Sequence, residues 1–299
     1  MEPDAESGKE RLKSMVLEFL AYQFGVRALI GGLIIAVTCS GLGVFLVLRR
    51  LSLVADGLSH VAFGGIAFGL YSGIYPLYTA VVGVILGALG IHALGKLRVA
   101  SDAAIAILFA AGLAIGIMLI SVTQNVAVDV LSFLFGTILG INQTDLYLAA
   151  ALGIIVVGIL LVFWKEWVSI TVDAEFARVS GLPVPALELV FTILTGLTVV
   201  VAMRLVGVLL VSSLIVIPAS AMIQLKMPFR RTVLSACAVA VVSVVAGLQL
   251  SFMYNLAPGG SIVFVTILFF ILAAVGVRLF PKIPEKTADG GSWDHRCDR

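Results

Sequence analysis

The sequence predicts an all-α, polytopic bundle of transmembrane helices. Of its 299 residues, 61% are hydrophobic and 12% are charged, and the mean hydropathy is +1.17. A soluble domain carries roughly a quarter charged residues, so this low charge indicates lipid rather than water as the main solvent. The apolar runs are about 20 residues long, which is the length a helix needs to cross a hydrocarbon core about 30 Å thick. They do not alternate between apolar and polar residues, as the strands of a membrane β-barrel would.

Nine apolar runs predict nine membrane spans, with eight as the alternative. They cover residues 26–48, 51–71, 76–95, 103–123, 145–164, 183–203, 205–225, 232–253 and 259–280. A further run, 128–141, is too short to cross the membrane. We interpret it as a re-entrant or half-membrane segment, which requires protein to cover its backbone. Glycines are frequent inside the spans, and small residues of this kind indicate close helix packing.

Lysine and arginine occur in alternate loops, and this pattern predicts the orientation of the chain. The basic loops contain Arg49, Arg50, Lys96, Arg98, Lys165, Arg178, Lys226, Arg230 and Arg231. We expect these loops and the tail, residues 282–299, to face the cytoplasm. The basic residues within 1–25 then lie on the outer side, a conflict that is reduced if this segment forms an amphipathic helix on the bilayer surface. The tail contains Asp, His and Cys, but its polar composition favours disorder over a metal site.

Asp56 and His60 are unusual in the apolar part of the chain. Between Ala28 and Trp164 only eight residues are Asp, Glu, Lys or Arg. On a helix, residues four apart share one face, with their Cβ atoms about 6 Å apart. A carboxylate and an imidazole placed in this way can bind one Zn²⁺ or Mn²⁺ ion. The alternatives are a hydrogen bond that only satisfies two buried groups and a proton relay. We favour a functional site, because an ionisable side chain inside a bilayer costs several kcal/mol.

Five sequence segments, in order and at compatible spacing, resemble the membrane subunit of zinc and manganese ABC importers. They are RRLS followed by DGLSH and GGIAFG near residue 60, VDVLSFLFG at 128–136, DAEFARVSG at 173–181, VAMRLVGVLLVSSLIVIPASAM at 201–222 and APGGSIVF at 257–264. The resemblance extends over nearly the whole chain, and it implies that residues 26–281 form a permease domain.

The resemblance also implies partners and site residues. Permeases of this family act as a homodimer with two ATPase subunits, and they receive the ion from an extracytoplasmic metal-binding protein. Asp56 and His60 match the family's metal-ligand pair, and Asp129 matches an acidic position near the outer mouth. Asp129 guides the cation in one interpretation and only caps a helix in the other. The segment 172–182 resembles the cytoplasmic coupling helix, whose proposed contact residues here are Asp173, Glu175, Phe176, Ala177 and Gly181.

The local sequence agrees with a short helix in that cytoplasmic loop. Asp173 can cap its N-terminus, Glu175 lies in its first turn, and Gly181 can end it. An ordinary surface loop is the alternative. A self-sufficient, proton-coupled metal transporter is the competing function, but it would need no docking helix for a partner.

Other functional classes are less consistent with the sequence. There is no HExxH motif for an intramembrane metalloprotease and no GxxxxGK[ST] loop for ATP, so we expect a transport subunit rather than an enzyme. We expect no permanently bound cofactor and no nucleic-acid partner. The expected location is the cytoplasmic membrane of a prokaryote, with the lipid bilayer around the helices. Ligand type does not separate Zn²⁺ from Mn²⁺. The runs GIAFGL and VAMRLVG are more similar to the zinc branch of the family, which favours zinc.

Overall fold

The structure is a computed structural model that describes residues 23–123, 136, 143–203 and 207–279. Three of the predicted features therefore lie wholly or largely outside the described residues. These are the amphipathic segment 1–25, of which only the last three residues are described, the short run 128–141 with Asp129, and the tail 282–299.

All regular structure in the described part of the chain is helical, so the all-α prediction is confirmed. The eleven described helices are α1 Gln23–Leu48, α2 Ser52–Ser72, α3 Pro76–Lys96, α4 Ser101–Val122, α5 Gln143–Val162, α6 Trp164–Val172, α7 Ala174–Val179, α8 Val184–Ala202, α9 Val208–Ile223, α10 Phe229–Tyr254 and α11 Pro258–Leu279. Each of the nine predicted runs corresponds to one of the longer helices, with ends that differ by a few residues.

The described helices support seven or eight membrane spans by length and composition, so the upper value agrees with the predicted alternative of eight and not with nine. Seven are long and apolar enough to cross a membrane, and α5 with α6 raises the count to eight if this pair is one span bent by 67°. The difference between nine and eight spans arises at the run 205–225, because α9 has only 16 residues. At a rise of about 1.5 Å per residue it is about 24 Å long, shorter than the hydrocarbon core.

Helix α2 lies in the interior of the bundle, in contact with α3, α4, α8 and α9. Helix α1 contacts α10, α9, α5 and α8 on the other side. Helices α1 and α2 bury most of their surface, whereas α4 and α11 leave most of theirs exposed. The exposed side chains are apolar, as expected for helices that face lipid or another membrane chain. The helix that carries Asp56 and His60 is thus surrounded by other helices.

Candidate metal-transport site

A tight junction between α1 and α2 places Asp56 and His60 near the start of α2. Arg50 has a left-handed backbone with φ of 58°, and the amide of Leu51 donates to the carbonyl oxygen of Leu46 at 2.8 Å. Because α2 begins at Ser52, Asp56 lies about 6 Å and His60 about 12 Å along its axis. Both residues therefore lie within the candidate membrane span Ser52–Ser72.

The His60 imidazole is buried, and the side chain of Asp56 is partly exposed. Only 7% of His60 is accessible, and its Nδ1 atom has no hydrogen-bond partner in the described part of the chain. No hydrogen bond joins the two side chains among these residues; the Ser59 hydroxyl donates to the backbone oxygen of Asp56 at 2.7 Å. The purely structural alternative, a hydrogen bond between the side chains of Asp56 and His60, is therefore not present in this structure. Buried polar groups normally have partners, so this nitrogen atom of His60 is free to bind a ligand.

Phe109 of α4 contacts the imidazole from one side. Its ring centroid lies 4.0 Å from that of His60, with 51° between the two planes. The contact restricts the rotation of the imidazole. Phe109 was missed in the sequence, because one phenylalanine in an apolar run carries no signal of its own.

Glycines bring α2 into close contact with α3 and α4. A Cβ atom on Gly112 of α4 would lie 2.6 Å from the carbonyl oxygen of His60, and one on Gly65 of α2 would lie 2.7 Å from the carbonyl oxygen of Thr79 in α3. A Cβ atom on Gly57 would lie 2.7 Å from a side-chain carbon of Ile105. These distances agree with the prediction that the glycines serve helix packing.

The described residues of one chain supply too few ligands for a closed metal site. Among the described residues there is no group of three or more His, Cys, Asp or Glu side chains that could hold a metal ion. Asp56 and His60 are a pair, and structural zinc sites almost always have four ligands. Asp129 lies outside the described residues, so its position stays a prediction.

The segment predicted to couple the permease to a partner forms a short capped helix. The Asp173 carboxylate accepts hydrogen bonds from the amides of Glu175 and Phe176, each at 3.0 Å, and α7 runs from Ala174 to Val179. Gly181, just beyond it, has a φ of 86°, which favours glycine. Asp173 thus caps the N-terminus of α7 and Gly181 follows its C-terminal end, as the sequence predicted.

The side chains of α7 face two directions. Phe176 is 67% and Val179 is 86% exposed, and Glu175 pairs with Arg178 on the surface at 3.2 Å. Ala177, in contrast, is fully buried against the permease. Of the five proposed contact residues, Ala177 therefore cannot touch a partner directly, and a bulky residue there would disturb the permease itself.

An ion pair that the sequence analysis missed connects the α1–α2 junction to α8. Arg49 pairs with Glu188, and the Arg49 side chain is only 9% exposed. The guanidinium lies over the ring of Phe191, 5.6 Å from its centroid. Burial lowers the pKa of Arg49 below its ordinary value, and Glu188 opposes this shift. A signal was present, because Glu188 is the only charged residue in the apolar run 183–203.

Comparison with known proteins decides the family. The sequence profile of the ABC 3 transport family matches residues 21–276. The chain belongs to the ABC 3 transport family. The resemblance seen in the sequence segments is thereby confirmed, and the chain is a multi-pass membrane permease.

Several relatives of this ABC 3 permease have known roles. It is 32% identical over 247 residues to the high-affinity zinc uptake system membrane protein ZnuB of Haemophilus influenzae, covering 82% of this chain and 95% of that protein. It is 31% identical over 257 residues to the manganese transport system membrane protein MntC of Halalkalibacterium halodurans, covering 86% and 88%. Its fold matches that of PsaBC from Streptococcus pneumoniae in complex with Fab, with a TM-score of 0.80 and 27% identity, covering 88% of this chain and 95% of that one.

Proposed function

We propose that this permease moves a divalent transition metal ion, Zn²⁺ or Mn²⁺, into a prokaryotic cell, and that Asp56 and His60 bind the ion during its passage. The observation that carries the proposal is a buried imidazole whose Nδ1 has no partner in the described structure, one helical turn from a carboxylate. Keeping such a pair inside a bilayer costs several kcal/mol, which a purely structural role does not explain.

Two copies of the chain complete the metal site in this proposal. A two-fold axis that brings two α2 helices together would supply two carboxylates and two imidazoles. Four ligands satisfy the tetrahedral preference of Zn²⁺, and the same oxygen and nitrogen donors suit Mn²⁺. The permease homodimer would then hold one ion for every two chains.

Energy for transport comes from two ATPase subunits that dock on the cytoplasmic side, through the α7 segment. An exposed phenylalanine and valine on a short capped helix suit an apolar groove in a partner. An extracytoplasmic metal-binding protein delivers the ion, which makes the direction inward. Membership of the ABC 3 family supports an ATPase and a substrate-binding protein as partners, and it gives no support to the alternative of a proton-coupled secondary transporter.

The relatives named above include both a zinc and a manganese system, so they do not separate the two ions. The zinc preference rests on the runs GIAFGL and VAMRLVG. Metal-stimulated ATP hydrolysis by the reconstituted complex, compared for Zn²⁺ and Mn²⁺, tests this preference directly. A larger response to Mn²⁺ at equal free concentration would reverse it.

The metal site is tested with the complete complex in lipid vesicles. Asp56→Ala and His60→Ala should abolish metal uptake, and the purified dimer should lose its single bound ion, although the ATPase subunits still bind. His92→Ala is the matched control, since His92 lies on α3 without a carboxylate at helical spacing, and it should transport normally. Uptake at the wild-type rate by either site variant, at equal expression, would refute the assignment. Uptake driven by a proton gradient without ATP would instead support the secondary transporter.

A further inference from the structure

The Arg49–Glu188 ion pair differs from the other ion pair in the described structure. Glu175 and Arg178 lie three residues apart on the surface of α7, where an ion pair contributes little. Arg49 and Glu188 are 139 residues apart in the chain, and the Arg49 side chain is nearly buried. The Glu188 side chain is 43% exposed, so the buried partner is Arg49. The pair fixes the relative position of the two segments that carry it, because separating it leaves the charge of Arg49 poorly solvated.

A cluster of buried aromatic residues lies beside Arg49. Phe191, beneath the guanidinium, has edge-to-face contacts with Phe45 at 6.1 Å and with Trp167 at 5.6 Å. All three aromatic side chains are at most 1% exposed. They come from α8, α1 and α6. The ion pair thus lies at the edge of a packed cluster that includes the helix immediately before α7.

The Glu188 side of the pair leads directly to the docking segment. Glu188 lies in the second turn of α8, which begins at Val184, shortly after Gly181. The amide of Leu182 donates to the carbonyl oxygen of Ala177 at 3.2 Å, and Ala177 is buried. The link between α7 and α8 is therefore short and hydrogen-bonded. A displacement of α7 would move the first turns of α8 with it.

The Arg49 side of the pair leads directly to the metal ligands. Arg49 lies three residues before the start of α2, and the amide of Val54 donates to the carbonyl oxygen of Leu51 at 3.0 Å. Asp56 follows Arg49 by seven residues and lies in the second turn of α2, which begins at Ser52. A force on the Arg49 guanidinium therefore acts on the N-terminal end of the helix that carries both ligands.

We propose that Arg49 and Glu188 are positioning residues that connect the ATPase docking segment to the metal-ligand helix, so that displacement of α7 moves Asp56 and His60. This inference rests on the function proposed above. The ion pair transmits the displacement because it joins the two segments by charge and by stacking of Arg49 on Phe191.

The test uses the complete complex in vesicles, with metal uptake and ATP hydrolysis measured in the same sample. The variants are Arg49→Gln, Glu188→Gln and the double variant of both. Each should lower the amount of metal transported per ATP hydrolysed, on the order of 2- to 30-fold, the range expected for loss of one coupling interaction. The ATPase subunits should co-purify at the wild-type level, because α7 is unchanged. Arg50→Gln is the matched control, since Arg50 is adjacent and exposed, and its ratio should equal that of the wild type.

The double variant decides the outcome if a single variant fails to assemble, because it contains no unpaired buried charge. A wild-type ratio of transport to hydrolysis in the double variant would overturn the inference. Failure of the double variant to assemble would also overturn it, because the pair would then serve folding. His60→Ala in the same vesicles separates the two proposals. If it transports normally, the proposed metal site fails; if it is inactive while the double variant is fully coupled, only this inference fails.

Discussion

Replacement of Gly112 by alanine tests whether close packing of α4 on α2 positions the metal ligand. The new Cβ atom would lie 2.6 Å from the carbonyl oxygen of His60 and 2.7 Å from its carbonyl carbon. The Cα atom of Val61 would also be 2.7 Å away. All three are backbone atoms, so no side-chain rotation can relieve the contact. The two helices must move apart at the level of His60.

The size of the effect follows from these distances. Ordinary van der Waals contact begins near 3.4 Å, so the displacement is about 0.8 Å, which is more than the roughly 0.5 Å that a functional site tolerates. Overpacking costs about 1–3 kcal/mol of stability. The higher helix propensity of alanine returns at most about 1 kcal/mol. Stability should therefore fall slightly, and metal affinity should fall more, by about 10- to 100-fold.

The assay is equilibrium binding of Zn²⁺ and Mn²⁺ to the purified permease, with thermal unfolding followed in the same detergent. Gly158→Ala is the control, because Gly158 is also inside a helix but has no heavy atom within 4 Å of the added Cβ. It should bind metal like the wild type. A Gly112→Ala variant with wild-type affinity would show that the α2–α4 contact does not position His60, and our reasoning about the site would be wrong.

Three further predictions follow from the site and the orientation of the chain. Phe109→Ala should lower metal affinity about 10-fold, since the imidazole loses the ring that restricts its rotation. Phe109→Leu should retain part of the affinity. Equal affinities in the wild type and both variants would show that Phe109 does not position His60. Phe176→Ala should reduce co-purification of the ATPase subunit, because this exposed side chain offers the largest apolar surface on α7; unchanged co-purification would show that the subunit binds elsewhere. In a protein without its native cysteines, a cysteine at Asn255 should react with an impermeant reagent from outside, and one at Ser101 only after the membrane is opened. The reverse pattern would place α7 outside the cell and contradict docking of an ATPase there.

The sequence by itself determined the properties that depend on neighbouring residues. Lipid as the solvent follows from composition, and the helices follow from runs of about 20 apolar residues. The position of Asp56 and His60 on one face of α2 follows from helical periodicity alone, because residues four apart must share a face. The cap of α7 by Asp173 is equally local, since the carboxylate binds amides only two and three residues away.

Only the tertiary structure decided which face each helix buries and which distant residues meet. The span count depends on where α9 begins and ends, and hydropathy did not define those ends. Ala177 and Phe176 are neighbours in the sequence, yet one is buried and the other exposed, because the orientation of α7 is set by the helices beneath it. Arg49 meets Glu188 across 139 residues, and Phe109 meets His60 because glycines allow α4 to approach α2. Such contacts arise from helix packing, which one-dimensional periodicity does not contain.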